Sequence, residues 1–165
     1  MILKTTRLIL RPWQESDAES LYEYAKDLRV GPIAGWPVHT SADNSRQIIR
    51  DVLSADETYA VTLKDNDCAI GSIGLMIGNK SNLNIAANEA EIGYWIGVAF
   101  HGRGYASEAV QAVLEELRRY SPERRIIAEC RPGNLASWRV LTKLGFRPTG
   151  EDGLRPGRRL LSMVR

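Results

Sequence analysis

The sequence has few of the residues that build metal centres or disulfide frameworks. Cysteine occurs only at Cys68 and Cys130, and histidine occurs only at His39 and His101. Two cysteines are too few for a disulfide framework, and with the two histidines they show no metal-ligand spacing. We therefore expect a protein that uses no metal ion and that suits the reducing cytoplasm.

Long apolar runs and a large excess of one charge are also missing. The longest apolar run, residues 92–100, is far shorter than the roughly 18 residues that a membrane-spanning helix needs. The start of the chain carries Lys4, Arg7 and Arg11, so it does not resemble a signal peptide. The net charge of +2 gives no electrostatic reason to expect a nucleic-acid partner. The sequence thus predicts neither a membrane nor a nucleic acid as partner.

What is present suits an ordinary globular protein. The chain has 165 residues, of which 44% are hydrophobic and 25% are charged. A chain of this length can bury a core of its own, so we expect a single domain over residues 1–165.

Hydrophobic periodicity predicts an alternation of strands and helices. The predicted strands are 6–12, 58–63, 69–78, 91–98, 125–130, 146–150 and 158–165. Helices are predicted after a cap at Ser16 or Asp17, with Glu19 completing a capping box, and after Ser41 or Asp43. Two more are predicted over 106–118 and over 134–144, where Gly145 ends the helix. Segments 31–41 and 79–90 are predicted loops, and the element order indicates a mixed α/β domain.

The stretch FHGRGYASEAV, residues 100–110, joins a predicted strand to the most regular helix of the sequence. Free N–H groups at a helix start, together with the helix dipole, favour an anion. Gly102 and Gly104 would present these donors without side chains in the way, and Arg103 could add a charged hydrogen bond. A dinucleotide fingerprint is excluded because Ser107 stands where its third glycine would be. The spacing alone leaves open a simple turn that binds nothing.

Motifs around this turn resemble a known family. The stretch EIGYWIGVAFHGRGYASEAV, residues 91–110, is followed by NLASWRVLTKLGF, residues 134–146. Together they resemble the acetyl-coenzyme A core of the GNAT N-acetyltransferase superfamily. The resemblance is closest to its ribosomal-protein N-terminal acetyltransferase (RimJ/RimL-like) branch. It implies the acyl-CoA N-acyltransferase fold, with a mixed, mostly antiparallel sheet flanked by about four helices.

The resemblance also implies a binding site for acetyl-coenzyme A. Backbone N–H groups from Gly102 to Ser107 would hold the pyrophosphate, and the strand around Ile96 to Val98 would pair with the pantetheine arm. His101 departs from the usual Gln or Arg, but this position is expected to act through its backbone. The implied coenzyme-binding residues are Ile96, Gly97, Val98, His101, Gly102, Arg103, Gly104, Tyr105, Ala106, Ser107, Asn134 and Lys143.

Candidate catalytic residues follow from the same resemblance. Glu91 is a candidate base for the attacking amine, and a residue that only holds a loop is the alternative. A backbone N–H near Ile96 or Gly97 would meet the oxyanion. Many members protonate the departing thiolate with a tyrosine, but that position is Leu141 here. Ser137 is therefore the candidate acid, and the alternative is that it caps its helix. Asn134 could equally be only a turn residue. Lys143 could equally be a cation that interacts with the helix dipole at the end of the helix.

The acceptor remains open at this point. Trp36, His39 and Tyr94 could line an amine pocket or could simply pack. The branch resemblance favours a protein or peptide N-terminus over a polyamine, amino acid or aminoglycoside. A sensor that binds acyl-coenzyme A without turnover is a further alternative, and both monomer and homodimer are open. The tryptophans assigned to the core are Trp13, Trp95 and Trp138.

Overall fold

Eight strands and five helices form within residues 1–81, 83–153 and 156–163, which the computed structural model describes. The strands are β1 (Leu3–Lys4), β2 (Leu8–Arg11), β3 (Thr58–Leu63), β4 (Ala69–Ile77), β5 (Glu89–Ile96), β6 (Arg125–Cys130), β7 (Phe146–Asp152) and β8 (Arg159–Met163). The helices are α1 (Ala18–Ala25), α2 (Gly31–Ala34), α3 (Ala42–Ile48), α4 (Tyr105–Tyr120) and α5 (Leu135–Lys143). A wider helical turn, Ile49–Leu53, continues α3.

The strands are hydrogen-bonded in the order β1-β2-β3-β4-β5-β6-β8-β7. Neighbouring strands from β1 to β4 run antiparallel, as do β6 with β8 and β8 with β7. The pair β5 and β6 is parallel, and Glu91 lies opposite Ile127 in its register. A parallel pair needs a crossover connection, and α4 supplies it. The predicted mixed, mostly antiparallel sheet is therefore confirmed.

The chain divides into two compact units. The first comprises Met1–Gly74 and Tyr94–Ala112, and the second comprises Leu75–Gly93 and Val113–Arg165. The units are described separately below. The expectation of one domain over the whole chain stays a prediction.

In the first unit, α1 lays its apolar side on the inner residues of β3 and β4. This core cluster consists of Trp13, Ala18, Leu21, Ala25, Ile49, Ala60 and Ala69. A buried ion pair lies directly before α1. Arg11 donates a hydrogen bond of 2.8 Å to each carboxylate oxygen of Asp17. Asp17 also accepts from the Gln14 N–H at 2.9 Å. A charged pair of this kind tolerates burial because its hydrogen bonds are satisfied.

In the second unit, the end of α4 supplies the apolar stripe that its three- and four-residue spacing predicts. The buried apolar residues of this unit include Val113, Leu114, Leu117, Ile126, Ala128, Leu141, Phe146 and Leu161. Leu141 on α5 and Phe146 on β7 are among the largest fully buried side chains. Both helices therefore present the faces that their sequences predict.

Several predicted boundaries were wrong. The predicted strand 6–12 is β2 alone, paired with a strand β1 that the sequence analysis missed, and the predicted loop 79–90 already contains the start of β5. The predicted loop 31–41 contains α2, which has a proline in its first turn and ends at Gly35 with φ +102°. A short turn, Glu15–Asp17, precedes α1 in place of the predicted capping box with Glu19.

Tryptophan burial matches the prediction only in part. Trp13 is buried, with 6% of its surface exposed. Trp95 and Trp138 are half-buried, and Trp95 packs against the core cluster of the first unit.

Candidate active site

The glycine turn before α4 is open and held in a conformation that favours glycine. Gly102 and Gly104 have φ angles of +73° and +81°. A Cβ atom at Gly102 would meet nothing within 4 Å. The Glu108 N–H donates to the Gly104 carbonyl at 3.0 Å, which is the first hydrogen bond of the helix. The N–H groups of residues 105–107 precede that bond, so helix geometry leaves them without a carbonyl inside the helix.

These features fit the diphosphate of a coenzyme. The turn offers backbone donors, the positive end of a helix dipole and free space where side chains would otherwise stand. Arg103 is exposed, and its guanidinium carbon lies 5.9 Å from the centre of the Phe100 ring. Ala106 and Ser107 are half-buried in the first turn of α4.

An arginine from the start of the chain also reaches this turn. The Arg7 guanidinium donates from Nη1 to the Arg103 carbonyl at 2.9 Å and lies 4.6 Å from the centre of the Tyr105 ring. Sequence reasoning missed this contact, since no local pattern links residues so far apart in the chain.

The end of β5 differs from the prediction. The strand stops at Ile96, and Val98–Phe100 forms a tight turn instead of extending it. The Gly97 N–H donates to the Ile70 carbonyl at 2.8 Å, so this amide is already used within the sheet. Of the two amides predicted to face the oxyanion, that of Ile96 is thus the remaining candidate.

His101 uses its side chain, although it was expected to act through its backbone. Its Nε2 lies 2.7 Å from the Ile96 carbonyl oxygen, a distance at which a protonated Nε2 donates a hydrogen bond. The ring thereby bridges the tight turn back to the end of β5.

Two glycines in this region allow close approach of neighbouring groups. A Cβ at Gly97 would lie 2.9 Å from Cγ of Tyr24, and a Cβ at Gly71 would lie 2.3 Å from the Trp95 carbonyl oxygen. Gly97, which directly follows β5, therefore allows a close approach that a side chain would prevent.

The predicted acceptor-pocket residues lie in the first unit. The Trp36 ring is half-buried, with its centre 5.7 Å from that of Trp95 and 5.3 Å from that of His39. His39 is buried, and its Nδ1 lies 2.8 Å from the Ser45 hydroxyl oxygen. Burial lowers the pKa of His39, so its ring is neutral at neutral pH. Tyr94 is half-buried on β5.

In the second unit, Glu91 is buried, with 4% of its surface exposed. Its Oε2 accepts a hydrogen bond from the Ser81 hydroxyl at 2.8 Å, and Ser81 in turn accepts from the Leu83 N–H at 2.9 Å. The Glu91 carboxylate is therefore bonded to the loop that contains Ser81, a contact that is compatible with either predicted role. The neighbouring Glu89 accepts from the Ala86 N–H and pairs with an arginine of β6.

The start of α5 is capped by its own side chain. Asn134 accepts a hydrogen bond from the Ser137 N–H at 3.2 Å, so Asn134 and not Ser137 is the cap. The Ser137 hydroxyl hydrogen-bonds the thiol of Cys130, and burial raises the pKa of that thiol. Leu141 is buried, so it places an apolar group where many relatives have a tyrosine. Lys143 is exposed in the last turn.

Comparison with known proteins identifies the family. The acetyltransferase (GNAT) domain model matches residues 7–147. The chain belongs to the GNAT acetyltransferase family. This GNAT protein is 33% identical over 150 residues to YnaD of Bacillus subtilis, described as an uncharacterised N-acetyltransferase, covering 91% of this chain and 85% of YnaD. The ribosomal-protein-serine acetyltransferase of Escherichia coli is 28% identical over 116 residues, covering 67% of this chain and 62% of that protein.

Solved structures agree with the family assignment. A GNAT-family acetyltransferase from Bacillus anthracis superposes with a TM-score of 0.82 at 26% identity, covering 99% of this chain and 98% of that chain. RimL, a ribosomal L7/L12 alpha-N-protein acetyltransferase solved in complex with coenzyme A, gives a TM-score of 0.76 at 21% identity, with 99% and 98% covered. The latter shows a shared fold. The predicted GNAT family, its fold and an acetyltransferase activity are thereby confirmed.

In the described part of this GNAT enzyme, no three or more His, Cys, Asp or Glu side chains cluster in a way that could hold a metal ion. None of the helices in residues 1–81, 83–153 and 156–163 has the length and apolar character needed to cross a membrane.

Proposed function

We propose that the protein transfers the acetyl group of acetyl-coenzyme A to the α-amine of a protein or peptide. The observation that carries this proposal is the open glycine turn, with φ angles of +73° and +81°, directly ahead of the first turn of α4. Helix geometry leaves the first amides of such a turn without a carbonyl inside the helix. In an acetyltransferase, a site built for a diphosphate is explained by a coenzyme donor.

Coenzyme binding is assigned to the backbone from Gly102 to Ser107, with Arg103 adding a charged donor. The predicted roles of Asn134 and Lys143 stay secondary, because Asn134 already caps α5 and Lys143 lies at its other end. The Val98 and Gly97 backbone would meet the pantetheine arm within the tight turn and not as part of a regular strand.

Acetyl-coenzyme A supplies an activated thioester, so the chain has three tasks. Glu91 accepts the proton of the attacking ammonium, directly or through water, and its buried carboxylate is pre-positioned by Ser81. The Ile96 N–H donates to the developing oxyanion. As the amine nitrogen bonds to the acetyl carbon and the carbon–sulfur bond breaks, the Ser137 hydroxyl turns from the Cys130 thiol and donates its proton to the departing sulfur. Ser137 regains a proton, through water, from the newly acetylated nitrogen.

An α-amine suits the region of Trp36 and His39. An α-amino group has a pKa near 8, about two units below that of lysine, so it needs less help to lose its proton. Segment 31–41 contains neither Asp nor Glu, so it offers no carboxylate to hold a polycation. The similarity to a ribosomal-protein-serine acetyltransferase also supports this acceptor class.

A thiol-release screen tests the proposal. Acetyl-coenzyme A is incubated with the enzyme and with short peptides of varied first residue, alongside polyamines, amino acids and aminoglycosides. We expect free thiol with one class of peptide and none when its N-terminus is blocked. Release only with small amines would replace the acceptor, and coenzyme binding without release across the whole panel would favour a sensor.

A further inference from the structure

Arg7 and Glu108 form a dense hydrogen-bonded cluster at the side of the glycine turn. The Glu108 carboxylate accepts from the Arg7 backbone N–H and from its Nε, both at 2.8 Å, and pairs with its Nη2 at 2.7 Å. The Thr5 hydroxyl donates to the same carboxylate at 2.6 Å. The segment between β1 and β2 is thus fastened to the first turn of α4.

The same guanidinium contacts the residues on both sides of Gly104. It donates to the Arg103 carbonyl at 2.9 Å and lies over the Tyr105 ring. A Cβ placed on Gly104 would lie 3.5 Å from its Nη2. Arg7 therefore contacts Arg103 by a hydrogen bond and Tyr105 through its ring, and it lies close to the glycine between them.

Stability alone does not explain this arrangement. The side chains of Arg7 and Glu108 are 45% and 17% exposed, and exposed ion pairs contribute little to folding. A glycine turn is flexible, so a group that fixes it in advance lowers the entropy that a ligand must remove on binding. The Arg7 bond to the Arg103 carbonyl fixes the residue between the two glycines.

Charge gives a second reason. Glu108 lies in the first turn of α4, where its negative charge opposes a bound diphosphate. Arg7 cancels that charge at contact distance. It leaves the positive end of the helix available to an anion.

We infer that Arg7 is a positioning residue for the coenzyme diphosphate, because it fixes the 102–104 turn and neutralises Glu108. This inference rests on the proposed coenzyme site. It predicts a role that is specific to the diphosphate and absent for the pantetheine arm.

The test compares two ligands that differ in the diphosphate. The Kd of coenzyme A is measured by calorimetry, and the Ki of pantetheine, which lacks the diphosphate and the nucleotide, is measured from its competition with coenzyme A. We expect Arg7→Leu to weaken coenzyme A binding about 10-fold and to leave pantetheine binding unchanged. The matched control is Arg50→Leu, because Arg50 forms an exposed two-bond pair with Glu15 away from the turn.

The outcomes separate the inference from the proposed site. Equal binding of coenzyme A and pantetheine by the unmodified protein would overturn the diphosphate site itself. The second comparison applies if the unmodified protein binds coenzyme A more tightly than pantetheine. In that case, the role of Arg7 is overturned if Arg7→Leu weakens the binding of both ligands equally or of neither.

Arg7→Lys provides a second route if the leucine variant does not fold. Lysine keeps the charge beside Glu108 but lacks the planar guanidinium, whose separate nitrogens reach Glu108 and the Arg103 carbonyl together. We expect a smaller loss, again confined to coenzyme A. An unchanged preference for coenzyme A over pantetheine in this variant contradicts the inference.

Discussion

Two helices of this protein share an Ala-Ser pair in their first turn and differ at the residue just before the helix. The fourth helix begins GYAS, residues 104–107, and the fifth begins NLAS, residues 134–137. Asn134 accepts the Ser137 N–H with its own side chain, whereas Gly104 has no side chain with which to do so. The fifth helix thus satisfies the Ser137 amide with its own side chain, whereas the fourth has no such side chain at the same position.

The difference agrees with the proposed diphosphate site at the start of the fourth helix. A capped start gains stability from its own side chain. A glycine start gives up that stability and gains space and free donors. In the fourth helix, we infer that the contacts of Arg7 with Glu108 and Arg103 fix the turn. In the fifth helix, the capping side chain of the helix itself has this role.

The largest effect is expected from a side chain at the glycine start. Gly104→Val places a β-branched residue at φ +81°, which costs on the order of 1–3 kcal/mol and lets the free protein relax into another turn. Coenzyme A binding should weaken roughly 10- to 100-fold by calorimetry. Gly133→Val is the matched control, because a Cβ there meets nothing within 4 Å and its φ is not positive. Equal losses in both variants would remove the distinction between the two helix starts.

The next effect concerns the hydroxyl at the capped start. Ser137→Ala removes the proposed donor to the coenzyme sulfur, so kcat should fall about 10-fold or more while the Kd of coenzyme A stays constant. Thr142→Ala on the same helix is the control, since its hydroxyl bonds only to carbonyls within that helix. An unchanged kcat for Ser137→Ala would remove this residue from the mechanism.

A smaller effect is expected from the cap itself. Asn134→Ala leaves the Ser137 N–H without its acceptor and should lower the free energy of unfolding by about 1 kcal/mol. Asn134→Ser should recover most of that loss, because serine also caps helices well. Denaturant unfolding measures both variants. Equal stability of the alanine and serine variants would show that the cap does not stabilise the fifth helix.

The smallest effect is a dependence on acid. Burial raises the pKa of Glu108, but the hydrogen bonds from Thr5 and Arg7 lower it by more than burial raises it. The net pKa therefore lies below the ordinary 4.5. The ionised carboxylate therefore adds stability that is present above about pH 4.5 and is lost as the pH falls through the lowered pKa. Glu108→Gln should flatten the unfolding free energy over this acid range, while Glu115→Gln, an exposed change on the same helix, should not. A parallel acid profile for Glu108→Gln and the parent contradicts the assignment.

Local patterns allowed most of the fold to be predicted from the sequence. The fourth helix was predictable because its apolar residues repeat at helical spacing, and the family motifs gave the sheet type. Strand β1 escaped prediction because two residues carry no period, and α2 escaped because proline and glycine suggested a loop. Within the site, the glycine turn was visible in the sequence. The contacts of Arg7 with the turn, of Ser81 with Glu91 and of Cys130 with Ser137 were not, because each joins segments that only the tertiary fold brings together.

The most direct test follows the backbone amides during a titration. In a 15N-labelled protein, coenzyme A should shift the amide signals of Gly102, Gly104 and Tyr105 strongly, and pantetheine should leave them nearly unchanged. The amides of residues 135–137 should not respond to the diphosphate. Large shifts elsewhere, with the signals of residues 102–107 unmoved at saturating coenzyme A, would contradict the claim that these amides hold the diphosphate.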